Sequence, residues 1–326
     1  MKIPNFNLGT LGFRILRFRE IGILLAFATL FLILSLSTST FFQFANIILV
    51  FRYASFTGIM ALGAVFLLSQ GDIDLSVGSI YNIVGLLIFV LLERGWSPVS
   101  VVFIGLIVGI ICGLINITLS IILRIPMLII TLGTLNIYRG LGLVLYESRP
   151  KEAFNLDNFL FNIFGGTFSM IPFAVIALIT LAIILFYIYG FTRFGIHVRS
   201  IGGNLSVARA MGIRINKTRA FSAMLNGGLA AISAVLTVAY LRAALPSFGT
   251  GYELIVIAAA IIGGTALSGG SGSIFGAVLG ALVISLIVNG IAHLGISTYW
   301  TATVTGTVII IAVVLDYLSR RKKLYY

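Results

Sequence analysis

Charge is what this chain has least of, and acidic charge above all: 9 Asp and Glu stand against 21 Lys and Arg in 326 residues. Charged residues make up 9% of the chain and apolar ones 60%. A soluble domain carries about a quarter charged residues, so a soluble fold is excluded. Cys112 is the only cysteine, which rules out an intrachain disulfide. His197 and His293 are the only histidines, and with one thiol they cannot build a structural zinc site. The five lysines, at 2, 151, 217, 322 and 323, never follow a glycine, so no P-loop cradles a nucleotide. No nucleophile elbow with a partner His and Asp occurs, nor a His-Glu-x-x-His pair. The chain is expected to do no covalent chemistry and to hold no metal or cofactor of its own.

What is present is apolar length. Several runs reach the ~20 residues needed to cross a ~30 Å hydrocarbon layer, and the alternating ~10-residue segments of a membrane β-barrel are missing. Apolar runs read against breakers give ten spans: 21–37, 53–69, 77–92, 99–123, 126–145, 170–190, 220–240, 253–268, 274–293 and 299–317. Phe41 to Phe51 is apolar but stops at Arg52, and reads as a short outer segment leading into the second span. Arg52 itself is expected to snorkel to the outer interface. The basic flank and Ile21 to Leu36 have no convincing small-residue cleavage site after them, and read as an uncleaved first span.

Placing both termini in the cytoplasm puts fifteen of the twenty-one basic residues inside: Lys2, Arg14, Arg17 and Arg19, then Arg124, six between 192 and 219, and Arg320 to Lys323. Glu93, Glu147, Glu152 and Asp157 stay outside. The +12 charge is thus spread over cytoplasmic loops, which argues for membrane lipid as a neighbour and against nucleic acid. The expected architecture is an all-α polytopic protein, one domain over 1–326, with about ten helices and a cytoplasmic loop at 192–219.

Two segments break this pattern. Gln70 to Ser79 sets Asp72 and Asp74 between two apolar runs, where a carboxylate costs several kcal/mol unless paired or solvated. Gly71 and Gly78 mark it as a turn. Gly78-Ser79-Ile80-Tyr81 is echoed by Gly272-Ser273-Ile274-Phe275 after the glycines at 263, 264, 269 and 270, a faint repeat of the kind that lines transport pathways. The second segment is the basic loop. Asn204 suits the N-cap of a helix from Leu205 to Met211, and Gly212 suits its left-handed stop. Leu205, Val207, Ala208 and Met211 supply apolar contacts for a partner's groove; Gly202-Gly203 would end an irregular stretch before it. Arg139, about 21 Å along its helix, is expected in an ion pair, with Glu147 as neighbour. Glu253 complements the positive end of the eighth span.

At the basic loop the chain resembles the permeases of ribose-type ABC importers. The likeness is carried by Phe194-Gly195, Ile201-Gly202-Gly203-Asn204, Ala208-Arg209 and Gly212-Ile213, and by Ile73-Asp74-Leu75-Ser76-Val77-Gly78-Ser79. It continues through Ile125-Pro126, Thr131-Leu132-Gly133-Thr134, Tyr138-Arg139-Gly140, Gly249-Thr250-Gly251-Tyr252-Glu253, Gly263-Gly264-Thr265 and Gly269-Gly270. The resemblance implies a bacterial or archaeal cytoplasmic-membrane protein that pairs with a second permease copy or paralogue. It implies two ATPase subunits inside, which use ATP and Mg, and a sugar-binding protein outside. Gly202, Gly203, Asn204, Leu205, Val207, Ala208, Arg209, Met211 and Gly212 would form the coupling helix. Asp74, Ser76, Gly78, Asn82, Arg139, Gly264 and Gly270 become candidates for the gate and path, and Tyr252 and Glu253 for contact with the binding protein. The family's Pro-Glu-Ala-Ala after the Asn is replaced by Leu205-Ser206-Val207-Ala208, its Gly-Gly by Gln70-Gly71, and Asp72 is an extra carboxylate. Other readings of the same residues are a branched-chain amino acid permease and an ion-coupled carrier using Asp72 and Asp74.

Overall fold

The computed structural model describes residues 19–146, 158–297 and 300–321. Lys2, Arg14, Arg17, Glu147, Glu152, Asp157, Lys322 and Lys323 lie outside the described residues. The chain is almost wholly helical: α1 (Arg19–Ser37), α2 (Phe44–Ser69), α3 (Val77–Glu93), α4 (Pro98–Leu123), α5 (Met127–Leu145), α6 (Phe159–Gly165), α7 (Phe173–Phe191), α8 (Arg193–Gly203), α9 (Leu205–Ala210), α10 (Ile215–Leu241), α11 (Tyr252–Ile262), α12 (Ile274–His293) and α13 (Trp300–Arg321). Between α6 and α7, β1 (Thr167–Phe168) and β2 (Ile171–Pro172) pair antiparallel, Thr167 opposite Pro172. Six helices, α2, α4, α5, α7, α10 and α12, are long and apolar enough to cross a membrane, and shorter apolar helices accompany them.

α2, α3 and α10 form the interior, buried along most of their length. α4, α5 and α7 bury one stripe each and turn Ile107, Ile122, Ile129, Ile137 and Ile183 outward, the pattern of helices that face lipid. Where α4 meets α10 the contact is backbone against backbone. A Cβ on Gly109 or Gly113 would strike the carbonyls of Gly227 and Ala223, so the four-residue glycine spacing of α4 is a packing seam.

Five expectations change here. The short segment before Arg52 is no separate element, because α2 runs unbroken from Phe44 to Ser69. Arg52 does not snorkel: it is buried, with its guanidinium 4.0 Å from the centre of the Tyr240 ring. The eighth span ends at Ile262 instead of 268, because Gly264 turns left-handed (φ +88°) and stops it. The stretch before Asn204 is not irregular but helical, as α8, started by the Thr192 side chain, which accepts the Gly195 amide. Similarly, α7 starts at Phe173, since 171–172 belong to the small hairpin.

Candidate functional site

α9 is capped at both ends by its own sequence. The Asn204 side-chain oxygen accepts the Val207 amide at 3.1 Å and the Ser206 hydroxyl at 2.9 Å. At the other end Gly212 (φ +75°) donates to Arg209 O and Ile213 to Ala208 O, a Schellman stop. Ala208 is buried against the body. Leu205 (48%), Val207 (53%) and Met211 (77%) are exposed, which leaves a small apolar face open beside Arg209.

α8 joins this helix to the two breaks in the apolar pattern. At Gly202 a side chain would strike the Ser69 carbonyl and the Gly270 amide, and Gly270 N donates to Ser69 O at 2.8 Å. Gly203 has open space instead, so the two glycines are not equivalent. Ser69 Oγ also shares a hydrogen bond of 2.8 Å with the Tyr189 hydroxyl, and Arg199 donates to the Tyr189 carbonyl. The ends of α2, α7 and α8 and the loop before α12 therefore meet at one junction. From it both breaks leave by the same device. α2 closes with Gly71 N donating to Leu68 O and Asp72 N to Leu67 O; α11 closes with Gly264 N to Ile261 O and Thr265 N to Ala260 O. The echo read from the sequence lies in these paired glycine stops. It does not extend to the caps: Ser273 caps α12 by accepting the Gly276 amide, whereas Ser76 uses its hydroxyl elsewhere.

The two carboxylates are both engaged. Arg219 grips Asp72 with two bonds, Nε at 2.8 Å and Nη2 at 2.6 Å, while Gln70 donates to Asp72 and accepts from Ser222. Asp74 accepts the Ser76 amide (2.8 Å) and hydroxyl (2.7 Å) and the Asn226 amide (3.0 Å). Asn116 completes the set by donating to Ser76 Oγ at 2.7 Å. Burial pushes the Asp74 carboxyl above its usual range, opposed by the bonds from Ser76, Asn226 and Asn116. Arg219, Ser222 and Asn226 were missed from sequence, although their i, i+3, i+7 spacing is one polar stripe on an apolar helix.

The other path candidates form a separate group. Asn82 donates to Pro246 O and Phe248 O, holding the 242–251 loop against α3. Gly78 leaves no room beside the Glu253 carboxylate and Gly249 O. Arg139 lies 3.9 Å from Glu253, its ion-pair partner among the described residues; Glu147 lies outside them. Glu253 opens α11 as expected, but is inside the body, 13% exposed.

Tyr252 faces a cavity of about 750 Å³ among α2, α11, α12 and α13. Three helices each give it a polar pair four residues apart: Tyr53 and Thr57, Ser285 and Asn289, Thr301 and Thr305. None of these six was singled out from sequence, though the spacing is legible there. Asp74, Ser76, Gly78, Asn82, Arg139, Gly264 and Gly270 do not line it. Among the described residues no three His, Cys, Asp or Glu side chains gather as metal ligands.

Residues 46–313 match the family model described as "Branched-chain amino acid transport system / permease component". The chain belongs to that family. A ribose import permease protein of Bacillus subtilis (strain 168) is 35% identical over 299 residues, 91% of this chain and 92% of that one. A probable ABC transporter permease protein of Escherichia coli (strain K12) is 34% identical over 303 residues, 93% and 91%. An autoinducer 2 import system permease protein of Yersinia pseudotuberculosis (serotype O:1b, strain IP 31758) is 32% identical over 303 residues, 91% and 84%. No solved structure matches the chain. It is thus a multi-pass membrane protein of a permease family, and no enzyme in its own right.

Proposed function

We propose that this chain is the membrane permease subunit of an ABC importer for a monosaccharide or related furanosyl compound. The observation that carries the mechanism is α9: a doubly capped helix with an outward apolar face, connected through Gly202 to the end of α2 and to the loop before α12. The sugar-related names among the similar proteins support the substrate class over branched-chain amino acids.

In this reading ten spans lie in the cytoplasmic membrane of a bacterium or archaeon: α1 to α5, α7, α10, α12 and α13, and α11, whose 11 residues cover about 16 Å and reach across only together with the 263–273 linker. Both termini and the 192–219 loop are cytoplasmic, and the whole chain is one domain. Two permease copies or paralogues, two ATPase subunits and an external binding protein complete the importer. Leu205, Val207 and Met211 dock on the ATPase, with Arg209 at their edge; Asn204 and Gly212 fix the helix and Ala208 seats it. ATP-driven closure moves α9 and α8 as a lever on Ser69 and Gly270, and the two glycine turns pass that movement to the linkers 70–76 and 263–273. Asp74 and Ser76 anchor the first linker on α10, while Gly264 and Gly270 shape the second. Gly78, Asn82 and Arg139 hold the loop and the helix start that carry Tyr252 and Glu253 beside the cavity. Tyr252 and Glu253 stay assigned to contact with the binding protein, with Tyr252 also lining the cavity.

The pairing of Asp72 with Arg219 weighs against an ion-coupled carrier, since that carboxylate is already neutralised by a guanidinium. Reconstitution tests the proposal. Uptake of labelled ribose into vesicles is expected with the partner ATPase, ATP and the binding protein together, and to vanish when any one is left out. Ion-gradient-driven uptake by the permease alone, or uptake of leucine but no sugar, would overturn it.

A further inference from the structure

A hollow of about 390 Å³ opens where α8 and α10 begin, lined among others by Arg193, Phe194, His197, Arg214, Lys217 and Phe221. No acidic residue lines it. Several arginines elsewhere have partners: Arg219 has Asp72, Arg139 has Glu253, Arg52 has Tyr240 and Arg242 has Asn162. Arg193, Arg214 and Lys217 have none among the described residues. The general excess of basic residues in loops does not explain their convergence on one concave site, where like charges repel unless an anion sits between them. α10 starts at the same hollow, and Arg214 at its N-cap makes no side-chain cap bond.

The walls say which kind of anion fits. Phe194 and Phe221 meet edge to face, with ring centres 6.4 Å apart. Phe221 (59%) is exposed, as are Phe191 (54%) and Tyr187 (63%) at the adjoining end of α7. Exposed aromatic rings beside basic residues at helix ends mark the level of lipid head groups. A free phosphate would use the cations and leave the rings unused; a phospholipid uses both.

We infer that this hollow binds the phosphate of an anionic phospholipid head group, held by Arg193, Arg214 and Lys217 with its glycerol against Phe221. Gly212, the stop of α9, lines the same hollow, so a bound head group pins the end of the docking helix to the membrane surface. Lipid composition then sets how firmly α9 is held.

The test uses the purified full chain in neutral detergent, with thermal unfolding and native mass spectrometry as readouts. Phosphatidylglycerol is expected to raise the unfolding midpoint, while phosphatidylcholine and inorganic phosphate leave it unchanged. The Arg193→Gln/Arg214→Gln/Lys217→Gln variant is expected to bind phosphatidylglycerol about tenfold more weakly, by loss of charge-assisted bonds. Its midpoint in phosphatidylcholine should equal that of the wild type. A second arm needs no variant: the wild-type shift should shrink as salt rises and screens the contact. An equal response of wild type and variant overturns the inference, as does a salt-independent shift. A full shift from inorganic phosphate alone would assign the hollow to a free anion. Equal shifts from both lipids would also overturn it, because the hollow would then not distinguish an anionic head group from a zwitterionic one.

Discussion

Replacing Val207 and Met211 together by aspartate is expected to lower substrate-stimulated ATP hydrolysis of the assembled transporter about tenfold or more. Both side chains point outward from α9, 53% and 77% exposed, so neither contributes to the interior. Burying them in a partner's groove removes apolar surface from water at roughly 25 cal/mol per Å². An aspartate in their place brings a charge to be desolvated with no partner for it. Arg209 is too exposed to supply that partner in the free chain. Because the caps at Asn204 and Gly212 are untouched, α9 itself survives, and the unfolding midpoint of the isolated permease should not move. Unchanged ATP stimulation in the double variant would show that α9 docks nothing.

Arg219→Ala carries the largest expected effect on stability. It leaves the Asp72 carboxylate, 8% exposed, without the two short bonds that now neutralise it. Breaking one half of a buried pair costs about 3–5 kcal/mol. That corresponds to a fall of about 5 °C in the unfolding midpoint for a chain of this size. Gln70 still donates to Asp72 but carries no charge. The double variant Asp72→Asn/Arg219→Leu removes charge from both sides and should recover most of the loss, since replacing both partners is close to neutral. If the single variant is as stable as wild type, the clamp between the linker and α10 is ornamental.

These residues also show where the sequence was readable. α9 was legible because its signals are local: an N-cap, a left-handed stop and the apolar residues between them all lie within nine positions. The apolar spans were legible for the same reason. Misreadings arose where a distant contact overrode a local cue. Arg52 looked like the end of a run, but Tyr240 covers its charge and α2 continues through it. Gly195, Gly202 and Gly203 lower helix propensity in α8, yet packing against Ser69, Tyr189 and Gly270 requires glycine at 195 and 202, and helix forms regardless. Apolarity from Ala266 to Leu267 suggested a longer α11, while the Gly264 turn had already ended it. Asp72 and Arg219 are 147 residues apart, and nothing local links them. The cavity lay between these cases. Its pairs at 53 and 57, 285 and 289, and 301 and 305 are periodic in the sequence, but only the packing shows that they face one another.

The central claim is that α8 and α9 drive both glycine turns through the contact of Gly202 with Ser69 and Gly270. The direct measurement is the number of ATP molecules hydrolysed per substrate imported, in proteoliposomes holding the complete transporter. Gly202→Ala forces that backbone contact apart and should raise the ratio about tenfold by uncoupling. Gly203→Ala, one residue away with open space around it, should leave the ratio at the wild-type value. Equal ratios in the two variants would contradict the account.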